Sequence, residues 1–241
     1  MGASVGAGAS DVPPASHPTL DMDLSRRELL GRLALATGAL VLLPQSIACG
    51  GKRAQNVVTP LAPEVEIPKA VPLGWDPIAF NRLRGESGAI PEAYLNDVQS
   101  PSGEWEHVGQ HLPYVVALEG GVPEGFLALM WGDPQKGHAR HPQEPRGPSN
   151  QFEGHWFRWI RVRKATIHDV DEVQSTFTDW PTPRATDSGD FALASGDDIL
   201  ADSGKNTVYL VALPPELAPG DLVRIHARCT LHGEYIDFVQ I

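Results

Sequence analysis

The residues with the most chemistry in this chain are one cysteine and a set of histidines. Cys229-Thr230-Leu231-His232-Gly233 lies near the C-terminus, and its three-residue step lets a thiolate and an imidazole reach one cation across a turn. Gly233 permits the backbone to fold tightly beside them. A lone Cys-x-x-His pair is a weak signal, because a buried cysteine is ordinarily inert packing. Further histidines strengthen it: His111 begins His111-Leu112-Pro113, His141 is followed by Pro142, and His155 opens the aromatic run His155-Trp156-Phe157-Arg158-Trp159-Ile160. Four imidazoles and one thiolate suit a transition metal. His138 and His107 compete for ligand roles, but His141 carries the adjacent proline and His107 lacks a proline-containing turn. His168, among Asp169, Asp171 and Glu172, reads as solvated.

These side chains need a scaffold, and the scaffold reads as all-β. Gly and Pro number 24 and 22 of 241 residues, which argues against a helical bundle and for short strands joined by turns. Segments 112–118, 126–131, 155–162, 207–213, 222–227 and 235–239 are short, β-branched or aromatic, and bounded by Gly, Pro or Asp. The economical architecture is an antiparallel β-sandwich of about seven strands. No sustained helical stripe is expected past residue 49, and no internal repeat occurs. In the strand entering the cysteine, Val223, Ile225, Ala227 and Cys229 alternate onto one face, with Arg224, His226 and Arg228 on the other. The cysteine should thus arrive on the apolar side, and His226 reads as a surface residue.

The N-terminal part reads as an address and a tether. Ser25-Arg26-Arg27-Glu28-Leu29-Leu30 precedes a weakly apolar run to Leu43 that is too short for a comfortable membrane span. Its paired arginines resemble a twin-arginine export signal, which carries folded proteins across an inner membrane. Ser46-Ile47-Ala48-Cys49 partly resembles a lipoprotein cleavage box, so a lipid anchor at Cys49 and simple cleavage nearby both stay open. The expected organisation is an export signal over 1–49, a Pro-rich linker over 50–73 and a folded domain over 74–241, in an exported, periplasmic protein.

Charge and cysteine count exclude other classes. A formal net charge of −11 makes nucleic acid a poor partner. Two cysteines, Cys49 and Cys229, are too few for a disulfide scaffold or a four-cysteine cluster. Between Lys136 and Lys164, however, seven bases face only Glu144 and Glu153. A basic rim that includes Lys136 and Arg140 is expected to steer a small anion, an effect that salt should weaken.

The order of these motifs is specific. A His-x-Pro, then a His-Pro, then a histidine opening an aromatic strand, then Cys-x-x-His-Gly near the C-terminus resembles the superoxide reductase family, the neelaredoxin and desulfoferrodoxin proteins, over roughly residues 105–241. The resemblance implies an immunoglobulin-like sandwich holding one non-haem iron. It further implies His111, His141, His155 and His232 as equatorial ligands, Cys229 as the axial thiolate and an open sixth position. The substrate would be superoxide and the product hydrogen peroxide, with an electron donor that the sequence does not name. Oligomeric state is likewise open, a homo-oligomer included. The extra cysteine-rich iron domain of desulfoferrodoxins is absent, so the shorter neelaredoxin-like form is the better comparison. Two departures stand out: Gly109-Gln110 occupy the place of the family's frequent Glu-Lys, and thirteen residues separate His141 from His155 where a few are usual. Such a Pro- and Gly-rich insertion can loop out if its ends stay close. Two alternatives remain. A blue-copper carrier would want a late methionine, and none follows Cys229. A non-catalytic metal-binding or interaction module is the other.

Overall fold

The computed structural model describes residues 64–147 and 153–241. They fall in one compact unit that spans Val57–Ile241. The expected export signal, the lipoprotein box at Cys49 and most of the expected linker lie outside the described residues.

Among the described residues, eight strands form two antiparallel four-stranded sheets. The first contains β1 (Pro113–Val115), β2 (Phe126–Trp131), β5 (Asp190–Leu193) and β6 (Thr207–Ala212), in the order β1-β2-β6-β5. The second contains β3 (Phe157–Lys164), β4 (Glu172–Thr176), β7 (Leu222–Cys229) and β8 (Gly233–Gln240), in the order β4-β3-β7-β8. All six expected strands are present. The additional two, β4 and β5, are edge strands: β4 reads Glu-Val-Gln-Ser-Thr, with little apolar alternation, and β5, Asp-Phe-Ala-Leu, is only four residues long.

The core lies between the sheets. Leu127, Leu129 and Trp131 of β2 and Tyr209 and Val211 of β6 meet Phe157, Ile160 and Val162 of β3 and Val223, Ile225, Ala227 and Cys229 of β7. Each fully buried Ile, Leu or Val contributes about 1.5–3 kcal/mol relative to exposure. Cys229 arrives on the apolar face, as the alternation of β7 requires, and is fully buried.

The opposite face of β7 departs from expectation. His226 is not a surface residue: it is only 5% exposed, and Arg224 is 7% exposed. His226 is covered by the Trp159 ring, 4.9 Å away, and by Glu234, and Arg224 by Pro68 and Glu172, while β8 beside them carries a helical layer that the sequence pattern does not announce. Helix α1 (Pro77–Glu86) is capped by Asp76, whose Oδ1 accepts from the amides of Ile78 and Ala79, and Pro77 pre-sets its first turn. Its buried residues are Asn81, Arg84 and Gly85, so the inward stripe is polar and a search for apolar period 3.6 passes over it. Asn81 makes the contact strand-like. Its Nδ2 donates to the Ile236 carbonyl and its Oδ1 accepts from the Ile236 amide, occupying the edge of β8. A shorter helix, α2 (Leu95–Gln99), and a π-helical turn at Glu104–Val108 follow. Ile90, Val98, Val108 and Tyr235 form a small second core beneath them.

The expected linker ends in anchored chain. The Pro68 carbonyl accepts from Arg224 Nη1 at 3.1 Å, and Trp75 Nε1 donates to Asp237 Oδ1 at 2.8 Å.

Candidate metal centre

Each of the five side chains is delivered by a different local device. His111 ends a 3-10 turn just before β1, and its Nδ1–H donates to the His107 carbonyl at 2.6 Å. A carbonyl can only accept, so the His111 proton sits on Nδ1 and the Nε2 lone pair is free. His141 lies in the β2–β3 connection, where its amide donates to the Trp131 carbonyl. Gln143 Nε2 stands 3.1 Å from His141 Nδ1, while Tyr209 Oη donates to Gln143 Oε1 at 2.8 Å. His155 precedes β3 in a two-residue bridge: its amide donates to the Glu144 carbonyl at 2.8 Å, and the Glu144 amide donates back at 2.9 Å. That bridge closes the insertion between His141 and His155 at its neck, so the ends do stay together.

Cys229 ends β7 and His232 sits in the turn to β8. The His232 amide donates to Cys229 Sγ at 3.5 Å. Thr230 ties this turn to the third histidine's strand: its Oγ1 donates to the Gly154 carbonyl at 2.7 Å and accepts from the Trp156 amide at 3.2 Å. A bulge between Phe157 and Trp159 lets Phe157 pair with Cys229 at the same end. Gly233 is required here. Its φ is +83°, and a Cβ would lie 2.2 Å from the Ala89 carbonyl oxygen.

The donors converge. One ligand atom from each of His111, His141, His155, Cys229 and His232 lies within 4.8 Å of every other. His232 Nδ1 is 3.0 Å from His111 Nε2, 3.0 Å from His155 Nε2 and 3.7 Å from Cys229 Sγ. The rings form a cycle: centroids of His111 and His141 are 4.6 Å apart, His141 and His155 4.3 Å, His155 and His232 4.6 Å, and His232 and His111 4.9 Å. The His111–His155 diagonal is longer, 6.2 Å.

This donor set fits a bound cation better than it fits itself. With its proton on Nδ1, His111 Nε2 can only accept, so His232 Nδ1 would need one proton to serve two neighbours or meet a second lone pair. Gln143 Nε2 can only donate to His141 Nδ1, so neutral His141 carries its proton on Nε2, which is buried with no partner at all. Ligation through Nε2 requires the Gln143 amide turned so that its Oε1 accepts from Nδ1–H. Two imidazole nitrogens about 2.1 Å from one cation, at right angles, stand about 3.0 Å apart. Burial keeps the groups neutral without a metal. It pushes His155 down to about 4 and His232 down to about 3, lowers His111 and His141 well below 6.5, and pushes the Cys229 thiol up to about 12. A cation displacing the thiol proton would reverse that last preference.

Of the competing histidines, His138 packs beside Gly109 and His107 beside His232 and His111, and neither belongs to the convergent set. His168 is exposed. Lys136 is exposed, and Arg140 Nη1 donates to Asn206 Oδ1 at 2.9 Å; neither bonds to a ligand residue. Sequence reasoning missed the supporting residues. Tyr235 stacks on His111 at 4.3 Å, Tyr94 meets His232 edge-on at 4.4 Å, and Gln143 and Tyr209 support His141 from positions 66 apart. Nothing local in the sequence signals such pairings.

No family model, curated protein or solved structure matches this chain. The reading of the site therefore rests on its own geometry.

Proposed function

We propose that the chain is an exported, superoxide reductase-like protein with an immunoglobulin-like sandwich and one non-haem iron. The ligands are His111, His141, His155, His232 and Cys229, and the reaction reduces superoxide to hydrogen peroxide. The observation that carries this reading is the convergence of four imidazoles in a cycle with one core cysteine, all within 4.8 Å.

When bound, ferrous iron supplies the single electron that superoxide, with two protons, needs to become hydrogen peroxide. The chain's own residues do the rest. Cys229 is fully buried, whereas His232 is half-buried, so the sulfur lies on the core side and the approach from solvent lies by His232. The Cys229 thiolate would give electron density to the iron it holds, a push of the kind cysteinate gives in haem enzymes. The His232 amide, donating to Sγ, tempers that push. The His107 carbonyl and Gln143 hold the orientations of His111 and His141. Lys136 and Arg140 contribute positive charge on the chain leading to His141, and protons can come from water at the half-open edge.

Copper is the weaker alternative. The one methionine among the described residues, Met130, lies in a separate apolar cluster with Ala128, Val208 and Leu210.

The test is metal analysis of the purified protein followed by rapid mixing with superoxide. About one iron per chain, a thiolate-to-ferric visible band and its appearance within one turnover are expected. Cys229→Ser should abolish the band while the sandwich stays folded, and chelation should lower the wild-type melting temperature. Iron that is inert to superoxide would leave a binding role, and a blue copper band would replace this reading.

A further inference from the structure

The fifth imidazole beside the cluster is not explained by ligation. His107 lies in the π-helical turn Glu104–Val108, a distortion that often marks functional sites. Its backbone carbonyl holds His111, and its ring lies 4.8 Å from the His232 ring and 5.7 Å from the His111 ring. Its ring thus adjoins His232, the one half-buried member of the five. Nε2 of His107 is buried and has no hydrogen-bond partner. An unmet buried polar atom costs about 1–3 kcal/mol, so its persistence calls for a partner that arrives with function. Tyr94 packs against both rings, 5.9 Å from His107 and 4.4 Å from His232.

We propose that His107 is the residue that contacts a small anion bound beside His232, at the half-buried edge of the four-imidazole cycle, donating a hydrogen bond from its buried ring nitrogen. The inference rests on the proposed ligand set and assigns a role outside it. Neutral imidazole suffices, since one ring nitrogen always carries a proton. A side-chain replacement at 107 keeps the carbonyl that holds His111, so the donor can be removed without removing the ligand's support.

The experiment uses iron-loaded full-length protein and azide as the anion probe, with wild type, His107→Leu and His107→Gln compared. Iron content and the azide-free visible band should be the same in all three. Azide should bind about tenfold more weakly to His107→Leu, with partial recovery in His107→Gln, whose amide can still donate. Equal azide affinity in all three loaded proteins overturns the inference alone. Loss of iron or a shifted resting band in His107→Leu also overturns it, by making His107 a ligand. A wild-type chain that takes up no metal overturns the ligand reading itself, and this inference with it.

Discussion

The β7–β8 hairpin carries two histidines six residues apart, His226 and His232, and surrounds them in opposite ways. His226 Nε2 meets Glu234 Oε2 at 3.0 Å, and the same carboxylate takes Arg84 at 3.4 Å and Arg228 at 3.2 Å. The hydrogen bond from His226, with the charges around it, holds Glu234 down to about 2. That cluster contains its own counter-ions and is complete. His232 faces three other imidazoles and a thiol, with no carboxylate among the five. It can hold charge only if a cation comes from outside. One hairpin thus shows a polar cluster built for the fold beside one whose donors are left over from it, and the second kind reads as a site.

Acid should separate the two most strongly. In the metal-free protein the unfolded histidines titrate near 6.5, but burial holds His155 at about 4 and His232 at about 3. Between those values the unfolded chain binds more protons, so stability is full above about pH 6.5 and falls as the pH drops. The fall amounts to about 1.4 kcal/mol per pH unit for each imidazole that titrates. Glu234, lowered from 4.5 to about 2, begins to lose its contribution only below pH 4.5, and the loss from His226, which burial also lowers below 6.5, is common to the metal-free and metal-bound protein. Urea midpoints at pH 7 and pH 5.5 should therefore differ clearly for the metal-free protein and much less once metal is bound. Equal midpoints without metal would mean that the ligand cluster is not desolvated as described.

The contrast also explains how far the sequence could be read. The Cys-x-x-His turn and the strand before it were legible because chain neighbours carry the signal: alternation puts Val223, Ile225, Ala227 and Cys229 on one face, and all are fully buried. His226 was misread by the same logic. Alternation assigns a face, not what covers it, and the cover here is the Trp159 ring and Glu234, the latter shared with Arg84 of α1, whose inward stripe looks solvated in a linear pattern. The four histidines could be named from their order and their prolines. The pairing of Gln143 with Tyr209, or of Thr230 with Gly154, spans 66 and 76 positions and depends on how the sheets pack.

Glu234→Gln sharpens the comparison from the other side. It leaves Arg84, 6% exposed, and His226 without their shared carboxylate, and an uncompensated buried charge is expensive. With the Glu234 side chain itself 24% exposed, a loss of about 2 kcal/mol is expected from urea unfolding, with metal content unchanged. No loss would remove the claim that this cluster is a closed network. Lost metal would show that the two clusters are coupled through Gly233.

The smallest effect tests the seam between the ligand-bearing segments. Thr230 Oγ1 joins the Cys229–His232 turn to Gly154 and Trp156, on either side of His155, through one donated and one accepted hydrogen bond. Thr230→Val keeps the shape and removes both, which should cost about 1–2 kcal/mol and leave the Trp156 amide in search of another partner. Thr230→Ser keeps the hydroxyl and should recover most of that loss. The seam also holds His155 against His232, so Thr230→Val should weaken metal binding while Glu234→Gln does not, as competition with a chelator would show. If the two variants weaken it equally, the distinction between a cluster that serves the fold and one that serves a cation fails in this hairpin.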